Sequence, residues 1–165
     1  MSGDLEPTTQ VYYTHLPAPF PASPAFNFQL TRMKDTLFVW VGTGAPGSDD
    51  ADDDGPDGPQ AREEGEGNRL ASEWAVAMPS AGNIPATATP IFRSGATDTA
   101  LPMAQRLAKR FPPNQIHLSL SLPSNLTAPA GPSLDPYASK ALLAMEKKLG
   151  VWLAEVLAAE AAGKQ

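Results

Sequence analysis

The sequence predicts an α+β domain: a mostly antiparallel β-sheet of about five to six strands packed with two helices. Three observations carry that expectation. Short segments alternate apolar with polar residues and are separated by turns, two later segments repeat apolar residues at spacings of three and four, and the strands come first in the chain.

Gln10 to His15 reads as a short edge strand, and Leu16 to Pro24 as a proline-rich extended linker. The stretch Phe28 to Gly42 is the most informative. Phe28, Leu30 and Arg32 alternate with Gln29 and Thr31, Met33 to Thr36 supplies a turn, and Leu37 to Val41 follows as a β-branched and aromatic run. This is a β-hairpin from about Phe26 to Gly42. Its second strand is apolar on both sides (Leu37, Val39 and Val41 against Phe38 and Trp40), so both faces need cover from helices, another sheet or a partner chain.

Residues 43–69 form an insertion rich in Gly, Pro, Asp and Glu, with nine acidic residues against Arg62 and Arg69. That segment alone carries −7 of a net −6, so the rest of the chain is close to neutral. It offers no apolar anchor to offset the entropy of ordering it and is expected to be disordered. A third strand lies within Leu70 to Met78, with Trp74, Val76 and Met78 on one face and alanines on the other. Pro79 to Pro85 is a turn, and a weaker strand from Ala86 to Phe92 is interrupted at Pro90.

Thr97-Asp98-Thr99 offers side-chain caps for a helix from about Ala100 to Phe111, with Pro102 in its first turn. Leu101, Ala104, Leu107, Ala108 and Phe111 line one face, and Gln105, Arg106, Lys109 and Arg110 the other. Pro112-Pro113 stops it. Gln115 to Leu122 alternates cleanly, with Ile116, Leu118, Leu120 and Leu122 inward and His117, Ser119 and Ser121 outward, as a half-exposed strand does. Residues 123–134 are a flexible loop. Asp135-Pro136 then opens a C-terminal helix, residues 136–161, with a stripe of Ala138, Leu142, Met145, Leu149, Trp152 and Val156, widened by Leu143, Leu153 and Leu157. All elements belong to one domain, residues 1–165, joined by hairpin-type connections.

Composition removes several function classes. With no Cys, disulfides, thiolate catalysis and cysteine metal sites are excluded. The first residues lack the basic and apolar segments of a signal peptide, and no apolar run approaches the ~20 residues a bilayer-spanning helix needs. A soluble, intracellular protein of the cytoplasm or nucleus is expected.

Gly42-Thr-Gly-Ala-Pro-Gly47 matches the dinucleotide-binding spacing and follows a strand, but Pro46 and the run Asp49 to Asp54 break the helix that should cradle a pyrophosphate and repel its charge. His15 and His117 are the only histidines. His117 beside Ser119 and Ser121 lacks a nucleophile turn and an orienting third group. The acidic run lacks the spaced ligands of a calcium loop. The sequon Asn125-Leu-Thr127 has no secretory context. The basic face of Arg106, Lys109 and Arg110 is too small for nucleic acid but suits an acidic protein surface. No catalytic, cofactor-binding or metal residue is assigned.

The ordered set Arg32, Asp35, Leu37-Phe38, Trp40-Val41-Gly42, then Ala75 to Met78, Thr97-Asp98-Thr99, Ala104 to Arg110 (A-Q-R-L-A-K-R) and the strand Ile116 to Leu122 resembles the proteasome assembly chaperone 4 family. The acidic insertion and the loop after Leu122 depart from its compact members. The resemblance implies a non-catalytic protein that pairs with assembly chaperone 3 and, as a heterodimer, binds the α5 subunit of the 20S proteasome during α-ring assembly. The α3 stripe reads either as core alone or as core plus a partner interface; for pairing, Leu149, Trp152, Leu153 and Val156 are the expected contacts, since Trp is a favoured interface anchor. Arg106, Lys109 and Arg110 are the candidates for the α subunit. Two other readings stand beside it: an acidic-loop chaperone for basic proteins, and a small nucleotide-binding or hydrolase domain around Gly42 to Gly47 and His117.

Overall fold

The hairpin lies inside the sheet, with strands on both sides of it. Strand β2 (Phe26–Met33) pairs antiparallel with β3 (Thr36–Thr43) in unbroken register from Phe26↔Thr43 to Met33↔Thr36. Asp35 turns the chain with φ 53°, a left-handed conformation that a short polar side chain tolerates. The computed structural model describes residues 9–21, 23–44, 70–95, 98–127 and 137–163. The insertion at 45–69, the Asp135-Pro136 cap and loop residues 128–134 lie outside them.

The hairpin is extended on both sides. Strand β1 (Gln10–Leu16) pairs antiparallel with β2 and forms one edge. On the other side come β6 (Gln115–Ser121), then β4 (Glu73–Met78), then β5 (Thr87–Arg93) at the second edge, giving the order β1-β2-β3-β6-β4-β5. The sheet is mostly antiparallel, as expected, but not all its connections are hairpins. Strand β6 inserts between β3 and β4 and runs parallel to β3, from Thr36↔Gln115 to Gly42↔Ser121. A parallel pair requires a crossover, here the path through β4, β5 and the helix α1 (Ala100–Arg110). Pro90 sits within β5, where an edge position tolerates its missing N–H, and the β4–β5 register shifts at Trp74/Ala75.

Register places one set of apolar side chains on a common face. Phe28 and Leu30 of β2 lie opposite Val41 and Val39 of β3, which lie beside Leu120 and Leu118 of β6, and Ala75 of β4 faces Leu118. All are buried. Each large aliphatic so removed from water contributes about 1.5–3 kcal/mol. Two helices cover this face. Helix α1 lies over β4, β5 and β6 with Met103, Ala104, Leu107 and Ala108 buried. The long helix α3 (Ala138–Gly163) covers the β1–β2 side, where Trp152 packs on Phe28 with ring centroids 6.3 Å apart. A single turn, α2 (Ser124–Thr127), follows β6 and buries Leu126.

Two expectations are corrected. Thr99 occupies the N-cap position of α1 without the side-chain cap bond expected of it, and Thr97 lies outside the described residues. Instead the N–H groups of Thr99 and Ala100 donate to Glu73 Oε2 on β4 at 2.6 and 2.7 Å. Strand β6 is central rather than half-exposed. Its serines do face away from the helices, but Ser119 and Ser121 are buried, and Ser119 Oγ donates to the Leu70 carbonyl at 2.8 Å.

Candidate functional site

The side chains that the helices do not cover form two rows across the opposite face of the sheet. Following the register, one row runs Val11, Thr31, Phe38, His117, Val76, Thr89. The next runs Tyr13, Gln29, Trp40, Ser119, Trp74, Phe92. Among the described residues no helix or second sheet lies on this face. Tyr13 is 71% exposed, Met78 50%, Phe92 48% and Val11 45%, although each is a large apolar residue in regular strand structure.

An aromatic cluster forms its centre. Phe38 stacks on His117 at 5.9 Å between centroids and meets Trp74 edge-on at 5.7 Å, while Trp74 and His117 lie 6.5 Å apart. Trp40 lies flat across Gly42, so that a Cβ at that position would collide with the indole ring. Its Nε1–H donates to the Leu70 carbonyl at 3.1 Å, which ties the return of the chain at residue 70 to this face. Local sequence explains the arrangement. Phe38, Trp40 and Gly42 alternate on one side of β3, and only glycine leaves the ring a flat bed.

The polar groups here are under-satisfied. Trp74 Nε1 and His117 Nδ1 are shut away from solvent with no hydrogen-bond partner among the described residues. Burial beneath the aromatic rings lowers the His117 pKa, because the imidazolium loses its water. Within the core side of the sheet, by contrast, the buried Glu73 is held by backbone donors at the helix start.

The residues expected to bind partners fall elsewhere. Leu149 and Leu153 are 0% exposed and Trp152 is 7% exposed, all spent on this chain's own sheet, so they are core and not a free surface. The α3 stripe is wider than the buried set, since Leu143 is exposed. Val156 is half-buried and lines a groove beside β1. Of the basic residues, Arg106 makes a two-pronged ion pair with Glu146 of α3 at 2.6 and 2.7 Å. Arg110 lies over the Phe111 ring at 5.4 Å and against Gly150, and Lys109 is exposed.

The other motifs assemble nothing. His15 Nδ1–H donates to Asn27 Oδ1 at 2.8 Å on β1–β2, far across the sheet from His117 on β6. Gly42 lies under Trp40, and residues 45–47 of the glycine motif lie outside the described part. No three His, Asp or Glu among the described residues gather as a metal site, and no described helix is long and apolar enough to cross a membrane. Sequence reasoning missed Glu73. Its signal was an acid at an inward position of a strand that otherwise alternates Trp, Val and Met with Ala.

Against curated proteins the chain has no match. The sequence model of the family described as proteasome assembly chaperone 4 matches residues 25–122, which is 98 of the 165 residues and spans β2 through β6. The matched span therefore holds the hairpin, the aromatic face, Glu73 and α1 together. The chain belongs to the proteasome assembly chaperone 4 family, chaperones of proteasome assembly.

Proposed function

We propose that this protein works as half of a heterodimer with an assembly chaperone 3-type partner, and that the pair binds the α5 subunit of the 20S proteasome to order its neighbours in the α-ring. Cytoplasm and nucleus are the compartments where that work is done. The observation that supports pairing is the uncovered sheet face. An aromatic centre of Phe38, Trp74 and Trp40, flanked by exposed Tyr13, Met78 and Phe92, is the composition of an interface core rather than of a solvated surface. A second, similarly open sheet laid on it would bury both faces in one sandwich.

Pairing residues are then Tyr13, Phe38, Trp74, Val76, Met78 and Phe92 rather than Leu149, Trp152 and Leu153 of the α3 stripe, which are buried, whereas Val156 stays half-buried. The α subunit would meet the helical side, where Lys109 and the outer edges of Arg106 and Arg110 give a modest basic ridge. Chaperone work needs partner discrimination with release, and an apolar face with few charges supplies the first through shape.

Co-expression with an assembly chaperone 3 protein followed by sizing tests the reading. The expected result is a one-to-one complex, lost in a Val76→Glu, Phe92→Asp double variant that still folds by circular dichroism. A wild-type chain that stays a monodisperse monomer beside both proposed partners overturns it.

A further inference from the structure

The two edges of the sheet differ in a way that the proposed pairing does not use. At β5 the edge is blunted by Pro90 and by the register shift opposite it. Strand β1 carries neither device: Gln10 to Leu16 pairs with β2 in seven consecutive register steps without bulge, proline or lysine. Every second residue of such a strand turns its N–H and C=O outward, a template for another strand.

Beside that edge lies a groove of about 670 Å³ between β1 and the last turns of α3. Its walls are Gln10 and Tyr12 on the strand, with Trp152, Val156 and Ala159 as an apolar floor and Glu155 at the rim. Glu160 also lines it but is engaged, accepting from Arg32 at 3.2 Å and from Tyr12 at 3.1 Å. Glu155 is exposed, and among the described residues it has no ion-pair partner and the groove lining holds no basic residue.

We propose that the β1 edge and this groove together bind an extended peptide, which adds beside β1 and places a Lys or Arg on Glu155 and an apolar side chain two residues away on the Val156–Ala159 floor. The period of two follows from strand geometry, since alternate residues of the added strand face the helix side. Charge selects the occupant. Residues 1–8, the chain's own segment next to β1, carry Asp4 and Glu6 and no Lys or Arg, and a second copy of β1 carries no Lys or Arg either. Neither supplies the cation that Glu155 calls for, which points to a peptide from another protein.

The test is an anisotropy titration of the full chain with a labelled peptide, Thr-Lys-Thr-Val-Thr-Lys-Thr-Val. Binding is expected, weakened about ten-fold or more when both lysines become glutamate and about 3- to 10-fold by Glu155→Lys, which should in turn improve the glutamate peptide. N-methylation of single peptide amides should abolish binding at alternate positions only. Absence of binding up to millimolar concentration, a methylation profile without alternation, or indifference to Glu155→Lys overturns the proposal. So does a chain dimer on sizing that the peptide dissociates. The open face is a separate surface, so the Val76→Glu, Phe92→Asp variant should bind the peptide unchanged.

Discussion

Glu73, Gly42 and His117 each decide something that no neighbour in sequence could. Glu73 places a carboxylate on two of the orphan N–H groups at the start of α1, joining sheet to helix through one oxygen. Glu73→Ala should cost about 1–3 kcal/mol in urea unfolding, since it removes charge-assisted bonds and leaves two buried donors unmet. Gly42→Ala must lift the Trp40 ring off its bed and break its bond to Leu70, so a loss of about 1–3 kcal/mol and a shifted tryptophan emission are expected. His117 has its folded pKa below the ordinary 6.5, because burial penalises the cation. As pH falls through 6.5 the unfolded chain takes up this proton before the folded one does, so stability drops from there down to the folded value. Equilibrium unfolding between pH 7.5 and 5.5 should show that slope in the wild type, with the His117 share gone in His117→Phe.

Among elements, the hairpin was the most legible, because β2 and β3 are adjacent in sequence and their two-residue period survives any tertiary setting. Helix α1 was legible from its stripe and its Pro112-Pro113 stop, but its cap was not, since the capping oxygen comes from 26 residues away. The buried role of α3 was half legible. Its stripe marks an apolar face without saying whether the cover is this chain's sheet or a partner's. The crossing of α1 and α3 turns on Gly150, where the Arg110 guanidinium rests on the helix backbone, beside the exposed Arg106–Glu146 pair. That guanidinium is the far end of a flexible side chain and can swing away, so Gly150→Ala should gain up to about 1 kcal/mol of helix propensity. Thermal melts compared with Gly42→Ala should therefore move in opposite directions, although both substitutions add one methyl at a buried glycine.

Across the whole fold, two helices cover one side of a six-stranded sheet, and among the described residues nothing covers the second apolar set on the other side. The domain is thus one layer short of the three that would shield both faces. Deleting Asp49 to Glu66 removes the acidic run and none of the residues named on that face, so partner pairing in a pull-down should persist nearly unchanged. Loss of partner binding on that deletion would instead favour a charge-driven chaperone for basic proteins.

The residues by themselves determined the periodicities: strands from alternation, helices from spacings of three and four, and a hairpin whose second strand has no polar side. These are local properties, set by where each Cβ points along its own backbone. Tertiary structure alone decided that β6 enters beside β3, that Glu73 caps α1, and that the helices settle on the Leu37–Val39–Val41 side of β3 and leave Phe38 and Trp40 outside. Those outcomes depend on contacts between segments tens of residues apart. A strand that is apolar on both sides is compatible with either face being the one its own chain covers.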